Sequence, residues 1–131
     1  MLVAKAIRHV EYLHQEIQSL FNQPAQPEKL SSFLNNFSQQ FEMIGISGAL
    51  LNIHQLEKMF SHKMGAFPDL KIEVSQISII MQTADFVLLR YQETHHKSGH
   101  SHHRIATACI EFHVEQCIWR YLHETTIGES S

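Results

Sequence analysis

Cysteine is scarce. The 131 residues hold two, Cys109 and Cys117, and neither lies in a CxxC or zinc-ligand spacing. A disulfide-dense scaffold and a cysteine-built zinc site are therefore excluded. Basic residues are also few: ten Lys and Arg stand against 13 Asp and Glu, a formal charge of −3 with neutral histidines. No basic stripe is available to follow a nucleic-acid backbone. No apolar run approaches the ~20 residues that span a bilayer. Lys5, Arg8, His9 and Glu11 interrupt the first segment, so no signal peptide is read there. These absences predict a cytoplasmic protein that contacts neither membrane nor nucleic acid. Internal repeats and long linkers are missing too, so one domain over residues 1–131 is expected.

What is present is ordinary core material, 44% hydrophobic residues in patterned segments. Val3, Ile7, Val10, Leu13, Ile17 and Leu20 recur at gaps of three and four, one stripe of an amphipathic helix. Pro24 and Pro27 end it, and Pro27 can open a second helix with Glu28 near its positive end. Leu30, Phe33, Leu34 and Phe37 would be its apolar face. "FEMIGISG", from Phe41 to Gly48, reads as a short strand or extended link. A third helix follows, with Asn52 as cap, Gln55 in capping-box spacing and Gly65 at the exit.

From Lys71 the period changes to two. Ile72 and Val74 are in one phase, Ile77, Ile79 and Met81 in the other, so a bulge is expected near Ser75–Gln76. Further strands are read in "FVLLRYQETHH", "HRIATACIEFHV" and "CIWRYLHETTI". If Glu115 and Gln116 turn the last hairpin, Glu111 faces Arg120, Phe112 faces Trp119 and Ile110 faces Tyr121. Phe112, Trp119, Tyr121, His123 and Thr125 then share the face assigned to the helices, with Arg104 at its end. Cys109 and Cys117 point to opposite faces, so no disulfide between them is expected. The fold class is α+β, three N-terminal helices on the concave face of a strongly curved antiparallel sheet, a cone-shaped barrel.

Five of the eleven histidines crowd into His95 to His103. Their spacing matches no standard zinc pattern, so the stretch reads as a polar hairpin tip around Gly99. His95, His100, His102 and His103 are the candidates should a metal be held, but no metal or cofactor is expected.

Two stretches carry a family resemblance. "FEMIGISGALLNIHQLEKMF" resembles the strand–glycine–helix segment of the nuclear-transport-factor-2-like (cystatin-like cone) superfamily, and "RIATACIEFHVEQCIWRYLHETTI" is similar to its closing hairpin. In the SnoaL-like, ketosteroid-isomerase-like uncharacterised branch an arginine start, a tryptophan after the turn and a terminal His–x–Ser/Thr recur. They correspond to Arg104, Trp119, and His123 with Thr125. The resemblance implies a conical pocket and homodimerisation through the sheet. An isomerase-type carboxylate is not placed, because Asp69 and Asp85 fall in loops or turns.

The expected function is small-molecule binding in an apolar conical pocket, as a binding or accessory domain. The alternatives are an isomerase, cyclase or dehydratase using His123 and Arg104, or a dimeric interaction module with a filled cone. Trp119, Tyr121, Phe112, His123, Thr125, Arg104 and Glu93 are the ligand-binding candidates. His123 titrates near neutral pH and suits a general acid or base. Arg104 suits a carboxylate or enolate oxygen. Aromatic residues at alternate positions can equally be plain core.

Overall fold

The computed structural model describes residues 2–114 and 116–130. Helix α1 (Leu2–Asn22) buries Ala6, Val10, Leu13, His14 and Leu20. After the proline break comes α2 (Pro27–Leu34), with Pro27 in its first turn as the sequence suggested. Strands β1 (Phe37–Ile44) and β2 (Leu50–Asn52) precede α3 (Ile53–Lys63). The capping box at the start of α3 is complete: Gln55 N–H donates to Asn52 Oδ1 at 2.9 Å, and Asn52 N–H donates to Gln55 Oε1 at 2.9 Å. Four long strands follow, β3 (Lys71–Gln82), β4 (Phe86–Lys97), β5 (His100–His113) and β6 (Gln116–Ser130).

Phe37 belongs to β1 rather than to the second helix. That helix stops at Leu34, and the Asn36 side chain donates to the Phe33 carbonyl at 3.0 Å. Phe37, Phe41 and Met43 then enter the core from an extended strand. At the exit of α3, Gly65 has φ +74, and a Cβ there would stand 2.8 Å from the Gln23 carbonyl oxygen. Only glycine fits without displacing backbone. Its N–H donates to the Leu20 carbonyl at 3.0 Å, which ties the ends of α1 and α3 together.

The fold class is α+β with the helices on the sheet, as expected. The six strands run β2-β1-β6-β5-β4-β3, and the sheet stays open, with β2 and β3 as its edges. It is mixed rather than wholly antiparallel, because β1 lies parallel to β6. The α2 to β1 connection, hidden from strand periodicity, makes that pairing. Trp119 N–H donates to the Asn36 carbonyl at 2.8 Å where β6 meets it. The bulge read near Ser75–Gln76 is present: the β3–β4 register shifts between Ser75 and Ser78, and Gln76 has φ +56. Buried residues from helices and sheet form one cluster, with Trp119, Tyr91, Phe41 and Leu13 among its largest fully buried members.

The last hairpin departs from expectation. Glu115 lies outside the described residues, so the proposed Glu115–Gln116 turn does too. The ladder on either side is clear: His113 pairs with Gln116, Glu111 with Ile118 and Ile110 with Trp119. The register then shifts, and Cys109 pairs with Tyr121, Ala108 with Leu122 and Ala106 with Glu124. One extra residue, Arg120, sits in β6 opposite the Cys109–Ile110 step. Past this bulge the inward phase of β6 changes from odd to even numbers. Both thiols are free.

Candidate functional site

The inward phase of β4 carries Val87, Leu89, Tyr91 and Glu93, all buried, and continues to His95. Glu93 is the Cα partner of Arg104 on β5, and Glu124 arrives from β6 two residues from Thr126, the partner of Arg104. From the opposite layer α1 presents His14. It follows Leu13 and lies one turn after Val10, so it shares the buried stripe of the helix. Five titratable side chains from four elements thus meet inside the fold, against an apolar hollow of about 120 Å³ that includes Phe37, Phe41, Leu56 and Trp119 in its wall. A wider hollow of about 640 Å³ shares His95, Arg104 and Glu124 with it and reaches outward past Lys63, Lys97 and His102.

His14 Nδ1–H donates to the Val10 carbonyl at 2.8 Å. That bond leaves Nε2 toward Glu93 Oε2 at 3.3 Å and the Tyr91 hydroxyl at 3.4 Å. A neutral ring would then set a lone pair against a carboxylate, so a proton on Nε2 is favoured. Burial by itself lowers the His14 pKa, but the Glu93 charge and the Val10 carbonyl outweigh it and raise the net value. Glu93 is 2% exposed. Burial works against its ionised form, yet His14 and the His95 Nε2–H, at 2.8 Å from Oε1, hold it well below the usual carboxylate range. His95 itself is lowered, chiefly by burial.

Glu124 behaves in the opposite way. Burial and the neighbouring Glu93 charge push it well above the ordinary value, against the pull of Arg104. Two buried carboxyls in contact share one proton. Glu124 carries it as the acid and donates to the Glu93 carboxylate. Arg104 Nη1–H donates to Glu124 Oε1 at 3.1 Å. The result is a neutral acid beside an anion beside a protonated imidazole, which can hold, donate or accept a proton at the wall of an apolar hollow.

Three of the ligand-binding candidates line this hollow, Trp119, Arg104 and Glu93, and so does the metal candidate His95. Phe112 is half-buried and packs on the core from outside the lining. The expected pocket-facing placement of Tyr121, His123 and Thr125 is corrected. Tyr121 is half-buried and His123 and Thr125 are exposed, because the Arg120 bulge turns them to the outer face. The same bulge turns Leu122 and Glu124 inward. The sequence reading missed Glu124 and His14. The clue to His14 was its place in the stripe of Val10, Leu13 and Ile17.

The histidine stretch is strand on both sides of a Ser98–Gly99 turn, so His100 and His102 belong to β5 rather than to the hairpin tip itself. Only His95 enters the buried cluster. His96 binds Ser101 Oγ at 2.7 Å, His102 faces Glu129 at 3.4 Å, and His103 Nδ1 lies 3.1 Å from Thr94 Oγ1. Among the described residues no group of three or more His, Cys, Asp or Glu is placed to hold a metal ion. No described helix is long and apolar enough to cross a membrane.

No protein-family profile matches the sequence, and no curated protein is similar to it at a significant level. Solved structures do match. An NTF-2-like protein of unknown function from Pseudomonas aeruginosa superposes with a TM-score of 0.90 at 24% identity, over 94% of this chain and 98% of that one. An uncharacterised protein with a cystatin-like fold from Caulobacter vibrioides gives 0.68 at 12% identity, over 91% and 87%. A provisionally assigned scytalone dehydratase from Novosphingobium aromaticivorans gives 0.73 at 10% identity, over 98% and 89%. At these identities the likeness is one of fold.

Proposed function

For a chain with the nuclear-transport-factor-2-like fold, we propose small-molecule binding as the function, in a single domain spanning residues 1–131. The ligand is compact and mostly apolar and carries one oxygen-bearing polar group. The observation that supports this most is the buried Glu93–Glu124–His14–Arg104 cluster at the wall of an otherwise aromatic and aliphatic hollow. A few convergent polar groups in an apolar concavity are what such sites are made of. A polar cluster built only for stability would be an expensive way to fill that space, because buried charges compare poorly with apolar packing.

The test is a ¹H–¹⁵N titration of the intact protein with cyclic alcohols, ketones and carboxylic acids, together with native mass spectrometry of the protein as purified. A ligand that moves the Trp119 indole resonance at sub-millimolar concentration supports the reading. A panel that leaves the indole unmoved, on protein that carries no bound mass, refutes it.

The divergent environments of Glu93 and Glu124 favour a second reading, proton transfer of the isomerase or dehydratase kind. An acid and a base pushed apart in pKa are the parts that chemistry needs. The dehydratase assignment of one structural neighbour is consistent with it. In this reading Glu93 is the base, Glu124 the acid, and Arg104 the partner of a developing oxyanion. Solvent deuterium entering a bound ligand, and its loss in Glu93→Gln, would support it. Exchange at the same rate in Glu93→Gln would remove Glu93 from the reaction.

Two further parts of the proposal concern the surroundings. The outer face of the sheet carries Leu88, Ile105, Cys109, Ile118 and Tyr121, all half-buried, a suitable surface for a second copy. Sedimentation equilibrium of the parent and Tyr121→Glu tests it: a dimer in the first that dissociates in the second is expected, and a monomeric parent refutes it. Two free, separated thiols suit the reducing cytoplasm.

A further inference from the structure

We propose that the ligand is an organic monocarboxylate, bound with its carboxylate against Arg104 at the neck between the two hollows and its apolar body inward. This rests on the small-molecule reading above and names the class of molecule. Arg104 lines both the enclosed hollow and the outer one. Its side chain is 16% exposed, and among the described residues only Nη1 has a partner, Glu124 Oε1 at 3.1 Å. Arg104 Nε is buried and has no hydrogen-bond partner among the described residues. A guanidinium cannot give up its charge, so it keeps a buried donor directed by its planar fork. Carboxylates meet such a fork through two parallel N–H···O bonds.

The charges around it support an anion. The proton that Glu93 and Glu124 share leaves Glu124 neutral, so its contact with Arg104 does not cancel the guanidinium. The Glu93 charge is answered by His14 at 3.3 Å and by the His95 N–H at 2.8 Å. Farther out the wider hollow is rimmed by Lys63 and Lys97, with His100 and His102, against Glu129, and Glu124 joins Arg104 at its inner end. A concave entrance with an excess of positive charge raises the local concentration of anions. Behind Arg104 the wall becomes Phe, Leu and Met with the Trp119 ring. A hollow of about 120 Å³ is of the order that admits a single benzene-sized group. Charge at the neck and hydrocarbon behind it describe an aryl or short branched alkyl acid.

The probes are benzoate and its neutral counterpart benzyl alcohol, titrated by calorimetry into the full chain at pH 7. Benzoate is expected to bind at least tenfold more tightly. Folded Arg104→Gln should lose that preference, binding benzoate no more tightly than benzyl alcohol. Equal or tighter binding of benzyl alcohol by the parent would overturn the carboxylate assignment and leave the pocket reading standing. Failure of both probes to bind would overturn both. Should Arg104→Gln not fold, the parent's Arg104 Nε–H resonance decides. Benzoate must shift it and benzyl alcohol must not; an unmoved resonance at saturating benzoate refutes the proposal.

Discussion

Glu93 and Glu124 are both buried glutamates in one cluster, yet their replacement by glutamine should have opposite consequences. Gln at 93 keeps the shape and an acceptor for the His95 N–H, but it removes the charge that faces His14 at 3.3 Å. Breaking a buried pair costs about 3–5 kcal/mol. His14 can shed its proton in response, so the low end, about 3 kcal/mol, is expected. For a chain of this length that corresponds to a fall in Tm of about 10 °C. Gln at 124 removes no charge, because the native group is an acid. Its amide can still donate to Glu93 and accept from Arg104, so the intrinsic change is within about 1 kcal/mol, the worth of one hydrogen bond. There is also a gain. A carboxyl whose folded pKa is raised stabilises the fold below its unfolded value, 4.5, and loses that contribution as pH rises toward its folded value. Glutamine has no such loss. The stability of Glu124→Gln relative to the parent should therefore climb above pH 4.5, by up to a factor of ten in the folding equilibrium per pH unit, while the parent retains the proton. Urea unfolding of the parent and both variants at pH 5, 6, 7 and 8 measures this. Equal losses in both variants at pH 7, with no relative gain for Glu124→Gln as pH rises, would mean that Glu124 is an anion paired with Arg104. The shared-proton arrangement would then be wrong.

Other outcomes follow from the same structure. Burial pushes the His9 pKa down to about 4, so its contribution to stability is complete above the unfolded value near 6.5 and is lost as pH falls toward 4; His9→Gln should flatten the decline in Tm over that window. Gln76 sits at φ +56 in the β3 bulge, where a side chain is strained, and Gln76→Gly should leave stability unchanged or raise it by up to about 1 kcal/mol in urea unfolding. Asn52→Ala removes half of the α3 capping box and should cost about 1 kcal/mol by the same measurement.

The parts of the fold legible in the sequence were those that neighbouring residues specify together. The α1 stripe, the proline break, the Asn52–Gln55 cap and the β3 phase slip each lie within one continuous segment of the chain, and each reappears in the structure. Glu93 was legible as well, since it keeps the phase of Val87, Leu89 and Tyr91. The β6 bulge was not. Trp119 and Tyr121 are both aromatic and continue an alternation that hides the extra residue, and the phase break shows only against β5. Everything read beyond it on β6 was therefore assigned to the wrong face.

The sequence by itself determined the helices, most of the strands and the α+β class, because periodicity, capping and turn chemistry are local properties of the chain. Tertiary structure alone decided the site. His14 and Tyr91 meet across 77 residues, and a single inserted residue chose Glu124 over His123 for the interior. The proton on Glu124 and the charge on Glu93 have no local cause, since each pKa is set by burial and by charges that other elements carry to it.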